Sequence, residues 1–287
     1  MTAPFVIANL SFDARFFLQR LATAPAVWVQ VAATRGSVPR ETGAWMAVFA
    51  DGLIGTVGGG KLEFDAIGQA RALLLAGGDL PAPWLVRFAL GPSLGQCCGG
   101  VVDLRFAPVT FLDVTALQTR LSQQLTPVAI FGSGHVGRAL VRVLGTLPFA
   151  VSWMDSREGS DPGQELQFAA QPLDSLPVVC EHSDPIHAAV PHLPAQSRVL
   201  IMSFSHAEDF DIVAACLSRQ RTQGDLPFIG LIGSRTKWAS FRQRLQARGF
   251  SEAERAHITC PIGMAGIVGK APEVIAVAVA AQLLLLA

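Results

Sequence analysis

The chain has no tyrosine, so no Tyr–Lys pair can donate a proton to a reduced substrate. Charge is sparse as well. Only 15% of the 287 residues are charged, and Lys plus Arg equals Asp plus Glu at 22 each. That balance leaves no footprint for nucleic acid or for an anionic membrane surface, both of which call for clustered cations. Cysteine is scarce, five in all, an odd number with no Cys-x-x-Cys spacing. Such usage fits reduced thiols in a cytoplasm rather than a disulfide framework. The apolar stretch "VIAVAVAAQLLLLA", Val274 to Ala287, contains Gln282 and falls short of the ~20 residues a bilayer requires. It reads as a buried core helix, with a core or domain interface or a homodimer contact as the surface it covers. Asp13, Arg15 and Arg20 interrupt the start of the chain, which leaves no signal-peptide core. A cytoplasmic protein with no membrane or nucleic-acid partner is expected.

Hydrophobic residues make up 51% of the sequence, enough for two domains with separate cores. The first half opens with a predicted helix over Ser11–Ala22, with Phe12, Phe16 and Phe17 as core candidates. A strand in "VWVQVAATR" follows, then a hairpin in "AWMAVFADGLIGTVGGG" turning at Asp51-Gly52, a strong two-residue turn signal. The next helix places Leu62, Ala66, Ile67, Ala70, Leu73 and Leu74 on one face and stops at Gly77-Gly78. "VVDLRFAPV" is another strand, and "FLDVTALQTRLSQQLTP" a linker or connecting helix. From Pro127 apolar runs ("VAIF", "AVSWMD", "RVLIMSF", "FIGLIG") alternate with helices. That alternation implies a parallel sheet covered on both faces. The expected fold class is α/β: an α+β domain over residues 1–125, then a Rossmann-like doubly wound parallel sheet over residues 126–287.

Within "VAIFGSGHVGRAL" a Gly-x-Gly-x-x-Gly pattern falls at Gly132, Gly134 and Gly137. It follows a strand and opens a helix. There the first glycine permits the sharp turn, the second admits a pyrophosphate to the backbone, and the third lets helix and strand pack closely. Asp155, at the end of the next strand, stands where a ribose 2′-hydroxyl partner belongs. Arg157 suits an adenosine 2′-phosphate or another phosphate, or is a solvated surface residue. His135 and His206 are the remaining candidates for ligand contact, against a plain role as polar residues at strand ends.

"GTVGGGK", Gly55 to Lys61, begins like a P-loop, but the next residue is Leu62 where a Mg²⁺-holding Ser or Thr is required. A nucleotide triphosphatase is excluded. Gly58, Gly59 and Gly60 still put backbone N–H groups at a helix start, where an anion fits. A tight connection needing positive φ would use the same residues. The adjacent thiols Cys97 and Cys98, in "LGQCCGG", are poorly spaced for a tetrahedral zinc site. Cys180, Cys216 and Cys260 read as structural.

Taken together, "GSVPRETGAWMAV", "GTVGGGKLE", "CCGG", "FGSGHVG", "MDSRE", "FIGLIGSRTKW" and "PIGMAGIVGKAPEVIAVAVAAQLL" resemble, in order and over nearly the whole chain, the XdhC/CoxI family of xanthine dehydrogenase accessory proteins. Cys98 matches the family's cysteine before Gly-Gly; Cys97 is additional. The resemblance implies a molybdenum cofactor (molybdopterin) chaperone rather than an enzyme. Such a protein holds the cofactor while a cysteine desulfurase exchanges oxo for sulfur, then inserts it into the molybdenum subunit of xanthine dehydrogenase. Cys98 would be the soft metal-facing thiol; a buried structural cysteine is the competing reading. The residues assigned to the cargo are Gly58, Gly59, Gly60, Cys98, Gly132, Gly134, His135, Gly137, Asp155 and Arg157, with a nucleotide also allowed at the Rossmann-like domain. An NAD(P)-dependent oxidoreductase and a nucleotide-sensing regulator are the alternatives.

Overall fold

A computed structural model describes residues 10–76, 82–90, 99–157 and 178–286. Chain contacts divide it into two units, one spanning Asp13–Leu121 and the other containing Ser122–Ala287.

The first unit is built on five antiparallel strands: β1 (Ala26–Arg35), β2 (Trp45–Val48), β3 (Leu53–Gly55), β4 (Trp84–Ala89) and β5 (Val101–Val109), in the order β3-β2-β1-β5-β4. The hairpin read at Asp51-Gly52 joins β2 to β3, with Val48 opposite Leu53. Because side chains alternate along a strand, β1 sends Val27, Val29 and Val31 to one face and Trp28 and Gln30 to the other. Helix α2 (Gly60–Ala76) covers the valine face by burying Leu62, Ala66 and Ala70, a four-residue spacing that keeps them in one line. On the opposite face, α1 (Phe12–Leu21) brings Phe17 to within 5.4 Å of the Trp45 ring centroid. Of the three phenylalanines proposed for the core, Phe17 is buried and Phe12 and Phe16 are partly so. Helix α3 (Val114–Leu121), read as linker or helix, sets the Arg120 guanidinium 4.2 Å over Trp28 and bonds Gln30 Oε1 at 2.7 Å.

The second unit is a parallel sheet of six strands: β6 (Thr126–Phe131), β7 (Phe149–Asp155), β8 (Val178–His182), β9 (Arg198–Ile201), β10 (Phe228–Leu231) and β11 (Ile258–Thr259). Their order, β11-β10-β9-β6-β7-β8, reverses direction between β6 and β9. This is the doubly wound Rossmann arrangement, and the reversal opens a crevice at the carboxyl ends of those two strands. The sequence reading found the four inner strands and missed β8 and β11. Both are edge strands; β8 has no fully buried residue and β11 has two residues in all. Helices α4 (His135–Leu144) and α8 (Pro272–Leu285) pack on the face of Val128, Ile130, Val151, Trp153 and Leu200. Helices α5 (His206–Gln223) and α6 (Arg235–Ala247) pack on the face of Ala129, Phe131, Val199, Ile201 and Ile229. The short α7 (Glu252–Arg255) leads into β11.

Helix α8 is the apolar segment near the end of the chain. Ala276, Val279, Ala280 and Leu283 are buried, whereas Val277 and Leu285 are 52% and 72% exposed, so one face is core and the other is apolar but open. Its last turn is held by Arg198, a buried cation in β9 whose Nη1 and Nη2 donate to the Leu283 and Leu286 carbonyls at 2.8 and 2.6 Å. The last carbonyls of a helix are short of partners within it, and the positive charge suits that end of the helix dipole. No helix among the described residues is long and apolar enough to cross a membrane.

Candidate functional site

The glycine loop joins the end of β6 to the start of α4, and its three glycines differ in their surroundings. At Gly132, whose φ is +119°, a β-carbon would lie 2.1 Å from the Met202 carbonyl oxygen. At Gly137 it would lie 2.2 Å from the Gly132 carbonyl oxygen, which also accepts a hydrogen bond from Trp153 Nε1 at 3.0 Å. Packing within the protein forbids a side chain at either position. Gly134 is different: no atom lies within 4 Å of where its β-carbon would stand. It is the N-cap of α4 and supplies no side-chain cap. The backbone here has open space beside it, at the positive end of a helix.

Asp155, at the end of β7, is 1% exposed. Its Oδ2 accepts from the Ser133 N–H at 2.7 Å and from Arg157 Nη2 at 3.0 Å. Its Oδ1 accepts from the Arg157 N–H at 3.0 Å and from Arg157 Nε at 2.9 Å. Four acceptor positions are the full capacity of a carboxylate. Burial alone would raise its pKa, but the Arg157 and Ser133 donors outweigh burial and hold it well below the usual carboxylate range. The Asp155 hydrogen bond pushes Arg157 upward in turn, with the Asp155 and Glu208 charges adding to it. A ribose hydroxyl arriving at Asp155 would therefore have to displace a donor already in place.

Arg157 also donates from Nη2 to Ser133 Oγ at 2.8 Å and lies 5.6 Å from the centroid of Phe204, a ring that is 71% exposed. Next to it, Ser156 Oγ donates to Glu208 Oε1 at 2.5 Å. The ends of β6 and β7 and the first turn of α5 are thus tied into one polar network around the crevice. Beyond β9, Asp209 Oδ1 accepts from Ser203 N and Oγ, both at 2.8 Å, and Lys237 Nζ reaches Asp209 Oδ2 at 2.5 Å and the Ile232 carbonyl at 2.9 Å. This ion pair is almost fully buried. It clamps the loops after β9 and β10, which flank the crevice.

Gly132, Gly134, His135, Gly137, Asp155 and Arg157 all belong to this edge of the second unit. His135 and His206 are the first residues of α4 and α5, and both are exposed. Gly58, Gly59 and Gly60 belong to the first unit, at the start of α2. There the anion is internal: Glu63 Oε2 accepts from the Val57 and Gly59 N–H groups at 3.0 and 3.2 Å and from Thr56 Oγ1 at 2.5 Å. A phosphate at this loop would compete with that carboxylate. Cys97 and Cys98 lie outside the described residues. Among the other cysteines Cys216 is buried, with its thiol pushed up to about 12 by burial, while Cys180 and Cys260 are partly buried. No group of three or more His, Cys, Asp or Glu among the described residues could hold a metal ion.

The sequence reading did not select Ser133, Glu208, Asp209, Lys237 or Glu63. Glu63 left a signal, an acid three residues beyond a glycine run at a helix start. The others are recognisable only once the strand order is known.

Residues 128–283 match the model of the XdhC Rossmann domain, and residues 20–88 match that of the XdhC and CoxI family. The chain belongs to the XdhC family. A curated relative, the uncharacterized protein YqeB of Escherichia coli (strain K12), is 28% identical over 264 residues, 91% of this chain. This chain spans only 43% of that relative's length. Among solved structures, a Bacillus halodurans protein described as a xanthine dehydrogenase is 20% identical, with a TM-score of 0.69 and 95% of each chain covered. At that identity the likeness shows a shared fold for this XdhC-family chain.

Proposed function

We propose that this XdhC-family chain is a maturation factor that holds molybdenum cofactor, keeps it while a cysteine desulfurase sulfurates the metal, and passes it to the molybdenum subunit of xanthine dehydrogenase. The observation that carries the reading is the division of labour in the glycine loop of an XdhC Rossmann domain. Gly132 and Gly137 are closed by protein packing, and of the three only Gly134 has open space where a β-carbon would stand. An open backbone at a helix start suits the terminal phosphate of a pterin cofactor. Cys98 is the soft thiol assigned to the metal.

The state of Asp155 weighs against a nicotinamide-dependent oxidoreductase. A dinucleotide bound in the usual way needs that carboxylate for its ribose, and here both oxygens are taken by Arg157 and Ser133. The test is purification of the chain and of Cys98→Ala from a cofactor-producing strain, with pterin measured by oxidation fluorescence and molybdenum by elemental analysis. The parent should carry both in comparable amounts. Cys98→Ala should carry about ten- to hundredfold less at equal protein, as expected for the loss of one soft contact worth about 1–3 kcal/mol. A bound nicotinamide, or no pterin at all, refutes the carrier role.

A further inference from the structure

Among the described residues Glu208 Oε2 is buried and has no hydrogen-bond partner. Buried carboxylate oxygens are seldom left this way, because the lost hydration is not repaid. The other oxygen of Glu208 is fixed by Ser156 Oγ at 2.5 Å, so the carboxylate is held in place at the crevice rather than turned out to water. The surroundings are also unusual. Phe204, 71% exposed, stands four residues before it on the β9–α5 connection, with Arg157 5.6 Å from the ring centroid. Asp155, the acid that the glycine-loop pattern nominates, is saturated. Glu208 has one whole oxygen left over.

We infer that Glu208 is the carboxylate that reads the ligand's ring in this crevice, accepting from its N–H donor edge while Phe204 offers a face for the ring to stack on. The inference rests on the carrier reading above, which makes the ring a pterin. A pterin presents an amino group and an adjacent ring N–H side by side, a donor pair matched to a fixed carboxylate. Donor recognition of this kind discriminates strongly, because a ligand lacking the donor leaves the buried acceptor unpaired. Stacking on an exposed aromatic ring adds affinity without selecting among planar heterocycles.

The experiment titrates the full chain with two metal-free probes, followed by ligand fluorescence: pterin (2-amino-4-oxopteridine), and lumazine, in which oxygen replaces the 2-amino group. The parent should prefer pterin by about tenfold or more. Glu208→Gln, nearly isosteric but bearing an amide that faces the donors, should bind pterin about ten- to hundredfold more weakly. It should also lose the preference over lumazine. Phe204→Ala should weaken both probes equally and keep the preference. Parent-like affinity and preference in Glu208→Gln overturn the inference while leaving the carrier role standing, provided that cells still load the chain. A parent that does not distinguish pterin from lumazine overturns it without recourse to any variant. A chain that neither binds pterin nor carries cofactor from cells overturns both.

Discussion

Replacing Gly137 and Gly134 by alanine, one at a time, should separate what the glycine loop does for folding from what it does for a ligand. At Gly137 the new methyl carbon would lie 2.2 Å from the Gly132 carbonyl oxygen and 3.4 Å from Trp153 Nε1. Helix α4 must then move away from β6, and the Trp153–Gly132 hydrogen bond of 3.0 Å is stretched or lost. Overpacking costs about 1–3 kcal/mol and the hydrogen bond about 1 kcal/mol. The expected destabilisation is about 2–4 kcal/mol, or a fall of roughly 4–16 °C in the midpoint for a unit of this size. At Gly134 the methyl meets nothing within 4 Å, and φ is an unstrained −67°. A stiffer unfolded chain gains about 0.4–1 kcal/mol, and a poorer N-cap loses a similar amount. Stability should stay within about 0.5 kcal/mol of the parent while the methyl occupies the phosphate approach and cofactor retention falls. Calorimetry on the full chain, with hydrogen exchange of β6 and α4 to identify the affected unit, measures the first effect; bound pterin measures the second. Equal loss of stability in the two variants would refute the argument that Gly134 faces a ligand and Gly137 faces the protein.

Glu63→Ala should remove the acceptor shared by Val57, Gly59 and Thr56 and destabilise the first unit by about 2 kcal/mol. Sulfate or phosphate should then raise the variant's melting midpoint more than the parent's, because an external anion can take the vacated place; equal shifts would show that the loop does not accept one. Asp155→Asn should cost about 1–2 kcal/mol at neutral pH by removing the charge-assisted hydrogen bonds to Arg157, which water partly compensates because that side chain is 41% exposed. The Asp155 pKa is held below its ordinary 3.8 in the folded state, so its contribution is present above that value and is lost as pH falls further. The deficit of Asp155→Asn, read by denaturant titration, should be constant from pH 7 to about 5 and shrink below about 4. A pH-independent deficit would refute the linkage.

Much of the architecture could be read from local pattern. Continuous apolar runs separated by helices marked β6, β7, β9 and β10, because strands buried on both faces leave no room for alternation. Asp51-Gly52 marked the hairpin, and the spacing of Leu62, Ala66 and Ala70 marked the buried line of α2. The turn at Gly132 and the close helix–strand packing at Gly137 also followed from position within a strand–turn–helix unit, and a β-carbon at either would clash with neighbouring backbone. All of these depend on residues a few places apart.

What the sequence could not supply is which polar groups meet. Ser133 reaches Asp155 across 22 residues, Lys237 reaches Asp209 across 28, and Ser156 reaches Glu208 across 52. Each pairing exists because the β6–β7, β6–β9 and β9–β10 adjacencies bring particular strand ends together, and no local periodicity encodes that order. The same limit hid β8 and β11, whose half-exposed or very short runs carry little pattern of their own. It also made Asp155 look like an open acceptor and left Glu208 unremarked. A carboxylate's role depends on how many donors reach it, and only the tertiary structure fixes that number.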